Sequence, residues 1–423
     1  MPDRRPASGI MTALNPEVEH LVVVGGSLAG LRAAESARLS GFNGEITVVS
    51  AEEEFPYDRP ALSKQCLLDG VPAPTLRDDE LRDLQLSWLG GTAATGLDTE
   101  NRVVHIGERT ISYSALVIAT GTRARSLPHL PQAANVVTLR DERDVAALRD
   151  GLTPGKNLTI IGAGIIGAEI ATAARKLGCE ATIIEATQYP LERALGRHLG
   201  LMLSEWHGQN GVALQTGVTV ADVETDGDRV AKVTLSDGTE VPTDLLLVSI
   251  GVVPNTEWLE GSGVVLAPDG SILCDEYLET SVPGVYAAGD VISWYNAHTD
   301  RTGRLETWTS ANEQGTSAGE NAVVTRDERR PYSTVPYFWS DWYGRRIQFA
   351  GVVTDREPQI VHGSPEKYRF VALFEDDGKV VGALAVDEPS KIMKDRRRIG
   401  QRTSWDDALE VYRKLNETVV VAP

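Results

Sequence analysis

The sequence predicts an α/β protein in which two strand–turn–helix–strand units are nested in one chain, with a smaller α/β region behind them. Three observations predict it. Residues 159–185 run from a β-branched strand through a glycine turn and a helix to a second strand. Residues 20–52 repeat that pattern, and from about residue 330 the chain turns strand-rich. At 423 residues the chain is too long for one ordinary core, so two or three domains are expected.

The stretch TIIGAGIIGAEIATAARKLGCEATIIE organises the rest. Thr159-Ile160-Ile161 feeds Gly162-Ala163-Gly164-Ile165-Ile166-Gly167, a full G-x-G-x-x-G. The glycines serve the tight turn, the close approach of backbone to a pyrophosphate, and the contact between helix and strand. A helix N-terminus adds unpaired N–H groups and a positive dipole end for that anion. The helix runs to Leu177, Gly178 ends it, and the second strand closes on Glu185. An acid about 20 residues past the turn accepts from ribose hydroxyls and repels a 2′-phosphate. Ala186-Thr187-Gln188 supply no arginine to receive one, so the unit is expected to take NADH rather than NADPH.

In the first unit His20-Leu21-Val22-Val23-Val24 is the strand, Gly25 to Gly30 the turn, Leu31 to Leu39 the helix, and 44–50 the second strand. Ser27 stands where the second glycine belongs; it is small enough to let backbone approach a phosphate, and its hydroxyl can donate to one. Glu52 follows at the spacing of the ribose acid, with Glu53 and Glu54 beside it as alternatives. Two dinucleotide units in one chain point to one nucleotide held permanently and another that comes and goes, as in a flavoenzyme.

Composition narrows the class. Net charge is −19, which argues against general nucleic-acid binding, since that needs a positive face to displace counterions. No stretch approaches the roughly 18 apolar residues of a membrane span. The first twenty residues lack the apolar centre of a secretory signal and read as a loose leader, with Met11 as an alternative start. Cys66, Cys179 and Cys274 are too few and too scattered for a disulfide framework or a zinc site, so no metal is expected and a cytoplasmic, reducing compartment fits.

Phe55-Pro56-Tyr57-Asp58-Arg59-Pro60-Ala61-Leu62-Ser63-Lys64 is bracketed by proline, which is expected to hold it extended and so to place Arg59 and Lys64 stiffly. This segment resembles the P-Y-x-R-P-P-L-S-K signature of the FAD-dependent NADH:ferredoxin reductases of bacterial oxygenase systems, with Ala61 replacing the second of the paired prolines. The resemblance covers almost the whole chain. YSALVIATG at 113–121 looks like the strand by which that superfamily, the pyridine nucleotide-disulfide oxidoreductases, returns to its FAD, with Arg125 in the matching arginine position. LLLVSIGVVPN at 245–255 is similar to the second crossing between domains, and Val285 to Asp290 to the other FAD signature. Arg304-Leu305-Glu306-Thr307-Trp308 precedes an expected helix, Thr309 to Val324, that in the family lies beside the flavin pyrimidine. Thr307 replaces a histidine there and is assigned no chemistry. Pro336-Tyr337-Phe338-Trp339-Ser340-Asp341 matches the opening of the small C-terminal domain, with strands expected near 346–353, 367–375 and 379–386 and helices near 388–399 and 404–415.

The resemblance implies a glutathione reductase-like nesting: a leader at 1–18, an FAD-binding domain at 19–127 and 261–330, an NADH-binding domain at 128–260, and a C-terminal α/β domain at 331–423. It implies cofactor contacts at Gly25, Ser27, Leu28, Ala29, Glu52, Arg59, Lys64, Ala94, Ala119, Thr120, Gly121, Arg125 and Arg140. Further contacts are implied at Gly162, Gly164, Ile165, Ile166, Gly167, Glu169, Glu185, Gly251, Gly289, Asp290, Glu306, Thr307, Trp308 and Trp339. Asp290 is expected to accept from ribityl hydroxyls and Trp339 to lie at the flavin edge. Lys64 and Glu169 are the expected catalytic pair beside flavin N5, Glu169 on the first turn of its helix. A cation there stabilises anionic reduced flavin, and the carboxylate fixes its position.

The implied cycle takes hydride from NADH onto FAD and passes single electrons to a two-iron ferredoxin that feeds a haem-thiolate or ring-hydroxylating oxygenase. Such ferredoxins are acidic. Lys391, Lys394, Arg396, Arg397, Arg398 and Arg402, on an expected C-terminal helix, are the densest basic run available to steer one. Two alternatives stand beside this reading. A single-cysteine NADH oxidase or peroxidase would use Cys66, which reads instead as a packed helix residue. An apoptosis-inducing-factor-like NADH-responsive binding protein would carry a long C-terminal insertion, which the chain lacks.

Overall fold

The computed structural model describes residues 13–76 and 83–421; the first twelve residues of the expected leader, Met11 among them, lie outside these. The elements that matter are, in chain order, β1 (His20–Val24), α1 (Leu28–Leu39), β2 (Glu45–Val49), β3 (Ser87–Leu89), β4 (Ala115–Ile118) and β5 (Val136–Val137). Next come α2 (Glu142–Gly151), β6 (Asn157–Ile161), α3 (Ile165–Lys176), β7 (Glu180–Glu185), α4 (Glu192–Gln209), β8 (Val212–Thr216) and β9 (Leu245–Val248). They are followed by β10 (Val285–Ala287), α5 (Trp308–Val323), β11 (Tyr337–Trp342), β12 (Arg345–Gly351), β13 (Gln359–Ser364), β14 (Arg369–Asp376) and β15 (Lys379–Val386). The chain ends in α6 (Pro389–Gly400) and α7 (Trp405–Val421).

Contacts divide the chain into two units. The first holds the residues up to Tyr57, Thr75–Thr122 and Pro254–Ser333; the second holds Asp58–Pro74, Arg123–Val253 and the chain from Thr334 on. Residues 58–74, which carry Lys64, therefore belong with the second unit although the first surrounds them in sequence.

The first unit is built on a parallel sheet in the order β10-β4-β1-β2-β3. Its central strands are buried on both faces, which is why Val22-Val23-Val24 and Ala115 to Ile118 read as unbroken apolar runs. α1 and α5 pack together through small residues: a Cβ at Gly315 would collide with the Ala29 carbonyl, and one at Gly319 with that of Ala33. The backbones therefore touch, and α5 fixes where α1 begins.

The second unit repeats the sheet, in the order β8-β7-β6-β9-β5, again parallel. Its C-terminal part is an antiparallel sheet in the order β11-β12-β15-β14-β13. Alternation along β15 decides its packing. Ala383 and Ala385 face Ile392 of α6 and Ala408 and Tyr412 of α7. Leu384 and Val386 face the other way, onto Leu195, Leu199, Leu203 and Trp206 of α4. A helix of the nucleotide-binding part thus completes the core of the C-terminal sheet.

The segment expected to be extended is so only as far as Asp58, with Tyr57 bridged to Thr75, and is helical from Arg59 on. Arg59–Ala61 forms a 3₁₀ turn with Pro60 in its first positions, and Leu62–Cys66 continues as a wide turn in which Lys64 leaves helical dihedrals (φ −118°, ψ −106°). Proline stiffens the entry to a helix as readily as an extended strand, because the N–H it lacks is unpaired at a first turn anyway.

Candidate functional site

In the first unit the end of β1 is set by Gly25, whose φ of +120° and lack of a side chain let it pass beneath the Ala119 carbonyl; a Cβ there would strike that oxygen. Ala119 N–H in turn donates to Val24 O at 2.7 Å. Ser27 is the N-cap of α1 with extended backbone, and Leu28 and Ala29 open the helix. Thr120 Oγ1 donates to Asn255 O at 2.8 Å, and Asn255 N–H donates to Gly121 O at 3.0 Å, so the strand end is laced to the segment after Pro254. Thr122 Oγ1 lies 3.4 Å from Asp290 Oδ2. Glu52 accepts from the Tyr57 hydroxyl at 2.6 Å. Ala94 packs half-buried on this unit's core. Glu306 pairs with Arg304 at 2.8 Å, and Trp308 is the first residue of α5.

Thr307, assigned no chemistry from the sequence, is the N-cap of α5: its Oγ1 accepts from Ser310 N–H at 3.1 Å. Threonine does here what a histidine would not, satisfying one of the four orphan N–H groups of the helix start.

The second unit builds the same cradle. Gly162 (φ +106°) turns beneath the Ser249 carbonyl, and Gly167 lets α3 rest on Gly162 O. Gly164 is the N-cap of α3, and a Cβ there would meet nothing of the protein, so the face left bare by this glycine opens outward. Ile165 follows, and Ile166 is exposed beside it. Glu185 accepts from Ala163 N–H at 2.9 Å on one oxygen and from Thr187 N–H and Oγ1, both at 2.8 Å, on the other. The acid thereby staples its own glycine turn, with lone pairs left for ribose hydroxyls. Arg125 N–H donates to Gly251 O at 3.0 Å. Arg59 Nη1 donates to Arg140 O at 2.7 Å, and Arg140 N–H donates to Asp144 Oδ2 at 2.6 Å. Trp339 lies half-buried on β11 with the Arg346 guanidinium 5.7 Å from its ring centre.

These glycines test whether dinucleotides fit. Each unit ends its first strand on a left-handed glycine under a neighbouring carbonyl and starts a helix of twelve residues. The N–H groups of that helix start face the place where backbone must come close to a phosphate. The residues suit FAD in one unit and NADH in the other.

Lys64 and Glu169 do meet. Lys64 Nζ is 2.7 Å from Glu169 Oε2, and it also donates to Pro60 O at 3.2 Å. Glu169 is the fifth residue of α3, one turn deeper than expected, and it is buried. Three donors the sequence did not reveal complete its shell. Ser63 Oγ shares Oε2 with Lys64, while Ser340 Oγ donates to Oε1 at 2.6 Å and Asp341 N–H reaches it at 3.4 Å. Trp342 Nε1 donates to Ser340 Oγ at 2.7 Å. Since an indole N–H can only donate, the one hydroxyl hydrogen of Ser340 is committed to the carboxylate. A buried carboxylate with this many donors has its desolvation offset, which an unpaired one would not.

Burial holds the Cys66 thiol above its ordinary range, with the Glu142 carboxylate adding to the shift. Cys66 and Cys179 are buried, and all three cysteines are unbridged. Among the described residues no group of His, Cys, Asp or Glu is placed to hold a metal, and no helix is long and apolar enough to cross a membrane.

The basic run divides. Lys391 is paired with Glu388, and Arg398 with the buried Asp395. Arg396 donates to Val335 O and Thr334 Oγ1, both at 3.0 Å, and lies over Tyr337. These three brace the C-terminal part internally. Lys394, Arg397 and Arg402 are exposed, and Arg402 lies past the end of α6 rather than on it. Of the six cations expected to steer a partner, these three are the exposed ones.

Residues 19–315 match the family model for pyridine nucleotide-disulphide oxidoreductases, and residues 337–411 match the model of the reductase C-terminal domain. The benzene 1,2-dioxygenase system ferredoxin–NAD(+) reductase subunit of Pseudomonas putida is 34% identical over 88% of this chain and 90% of that protein. The chain belongs to this family of ferredoxin–NAD(+) reductases. Another member, putidaredoxin reductase of Pseudomonas putida, is 31% identical over 91% of this chain and 92% of its own length. The structure of a covalent putidaredoxin reductase–putidaredoxin complex superposes on this reductase with a TM-score of 0.85 at 28% identity, covering 91% of this chain and 93% of that one. Fdr9 gives 0.82 at 36% identity, covering 92% and 97%. FAD and NAD(H) are the cofactors of the family.

Proposed function

We propose that this protein takes electrons in pairs from NADH and delivers them singly to a two-iron ferredoxin that supplies an oxygenase. The observation that carries the reading is the presence of two complete nucleotide cradles in one chain, the first closed by the Gly289–Asp290 turn and the second by a ribose acid with no arginine beside it. FAD, when bound, accepts a hydride and releases single electrons. The chain's own residues supply position and charge. The N-termini of α1 and α3 offer N–H groups to two pyrophosphates, and Glu185 selects against a 2′-phosphate. Lys64, clamped on Glu169 by Ser63 and Ser340, is proposed as the cation beside flavin N5 and Glu169 as the group that fixes it there. The relatives named above, a dioxygenase-system reductase and a putidaredoxin reductase, support the choice of acceptor. A cysteine-based oxidase mechanism is disfavoured, because burial at Cys66 opposes the thiolate that it requires. Three unbridged cysteines suit a reducing compartment, and we assign the protein to the cytoplasm.

The test is a panel of two-iron ferredoxins with cytochrome c as final reporter, run with NADH and with NADPH. Cytochrome c reduction should depend on an added ferredoxin and should favour NADH by roughly a hundredfold in kcat/KM, about 2.7 kcal/mol of discrimination. Rapid NADH bleaching of the flavin that no ferredoxin reoxidises would reject the proposed acceptor. Equal use of the two nucleotides would reject the role of Glu185.

A further inference from the structure

We infer that Gln314, which neither the sequence motifs nor the family resemblance singles out, is a positioning residue for FAD. It holds the Gly289–Asp290 turn in register with the N-terminus of α1. The inference rests on the reading that the first unit holds FAD. Gly289 has a φ of +86°, and a Cβ on it would stand 3.1 Å from Ala29 Cβ and 4.0 Å from Ala311 Cβ. The turn is therefore wedged between the opening turns of α1 and α5. In that crease the Gly289 N–H donates to Gln314 Oε1 at 2.8 Å, a fully buried bond. Gln314 is 0% exposed. The next residue, Gly315, is the one whose bare backbone rests on the Ala29 carbonyl, so the helix that supplies the acceptor also sets the height of α1.

The other end of the same amide shows that packing alone does not explain a glutamine here. Gln314 Nε2 is buried and has no hydrogen-bond partner. An unmet buried donor carries its full desolvation cost, which a leucine of similar volume would avoid. What leucine cannot do is accept from Gly289. Without that acceptor the N–H would be stranded, and the turn would swing towards water and carry Asp290 with it. Asp290 and the start of α1 address different parts of one ligand, so their spacing is what Gln314 fixes. Because the side chain is wholly enclosed, it acts through the turn and does not touch FAD.

The measurement is a fluorescence titration of apoprotein with FAD, for wild type, Gln314→Leu and Gln314→Glu. Gln314→Leu should raise the Kd for FAD roughly tenfold to a hundredfold. NADH affinity at the second unit, read by calorimetry, should change by no more than about twofold. An unchanged Kd for FAD together with a lowered apoprotein Tm would overturn the inference and leave Gln314 as a core residue. If Gln314→Leu folds poorly, Gln314→Glu decides. Its neutral carboxyl accepts from Gly289 as the amide does, whereas its carboxylate would add a buried negative charge behind the turn, which disfavours an anionic ligand on the other side of it. Burial raises that carboxyl's pKa. FAD affinity of Gln314→Glu should match wild type at acidic pH and fall as pH rises, and a pH profile as flat as that of wild type would overturn the inference. Failure of the proposed function is separately visible, because wild type would then bind FAD yet reduce no ferredoxin.

Discussion

At Gly25 and at Gly162 the chain turns beneath a neighbouring carbonyl in the same way, Ala119 in one unit and Ser249 in the other, yet the helices that follow are held by different means. α1 starts at Ser27 and is gripped along its length by α5, backbone against backbone at Gly315 and Gly319. α3 starts at Gly164 with open space before it and carries, one turn in, the buried Glu169 that ties Ser63, Lys64 and Ser340 together. The acids differ too. Glu185 bonds its own glycine turn, whereas Glu52 takes a bond from Tyr57, five residues on. The unit expected to keep its nucleotide is thus locked by helix packing. The unit expected to exchange one leaves its phosphate-facing glycine uncovered and invests its polar contacts behind the helix.

The sharpest way to break this parallel is to add one methyl group to each turn. Gly25→Ala and Gly162→Ala each force a side chain into a carbonyl at strongly positive φ, at a cost of roughly 3 kcal/mol or more. Gly25→Ala should purify without visible flavin and still bind NADH. Gly162→Ala should remain yellow but be bleached by NADH roughly a hundredfold more slowly. Gly164→Ala, where a Cβ meets nothing, should keep the thermal stability of wild type and lose only NADH affinity. Absorbance spectra and stopped-flow bleaching check all three. Flavin loss from Gly162→Ala, with Gly25→Ala unaffected, would show that the cofactors had been assigned to the wrong units.

Both cradles were legible because their chemistry demands particular residues at fixed spacing along one segment: a glycine where backbone must pass a carbonyl, an acid where a ribose lies. The ion pair of Lys64 with Glu169 was legible only through resemblance, since nothing local joins residues 105 positions apart. Ser63, Ser340 and Trp342 stayed hidden because serine and tryptophan carry no spacing code; their roles appear only once three distant segments meet on one carboxylate. Thr307 was within reach. A threonine three residues before Ser310, at the start of a small-residue helix, has the form of an N-cap. The extended reading of 55–64 failed from Arg59 on because Pro60 serves equally at the first turn of a helix. A strand near 379–386 was legible, but not that α4, nearly two hundred residues earlier, would cover one of its faces.

That covering helix gives the second unit an acid sensitivity of its own. His207 on α4 is 1% exposed, its Nδ1 is 2.6 Å from the Tyr343 hydroxyl, and its ring lies 5.5 Å from that of Trp342. Desolvation by burial lowers its pKa from 6.5 to about 4. Between those two values the unfolded chain binds a proton that the folded chain refuses. Stability from this group is therefore fully present above pH 6.5 and drains away as pH falls towards 4, by an amount on the order of 3 kcal/mol. Chemical denaturation of wild type and His207→Gln at pH 7 and pH 4.5 checks it. The variant should be less stable at pH 7 but should lose less on acidification. An equal acid loss in both proteins would assign the sensitivity to other groups.

The smallest effect expected is at the surface of the second unit, where the basic run separates into two sets that sequence could not tell apart. Reversing Lys394, Arg397 and Arg402 to glutamate removes cations that are exposed, so it should raise KM for an acidic ferredoxin by roughly threefold to tenfold at low salt and flatten the salt dependence of turnover. kcat at saturating ferredoxin should hold, because steering acts on encounter and not on the electron-transfer step. Replacing Lys391, Arg396 and Arg398 instead breaks pairs to Glu388, Thr334 and the buried Asp395. That set should lower Tm while leaving the salt slope as it was. If the paired set moves the salt slope and the exposed set does not, α6 presents a different face to its partner. The internal pairs would then have to open on docking, and the cost of opening them would appear in the on-rate measured by stopped flow.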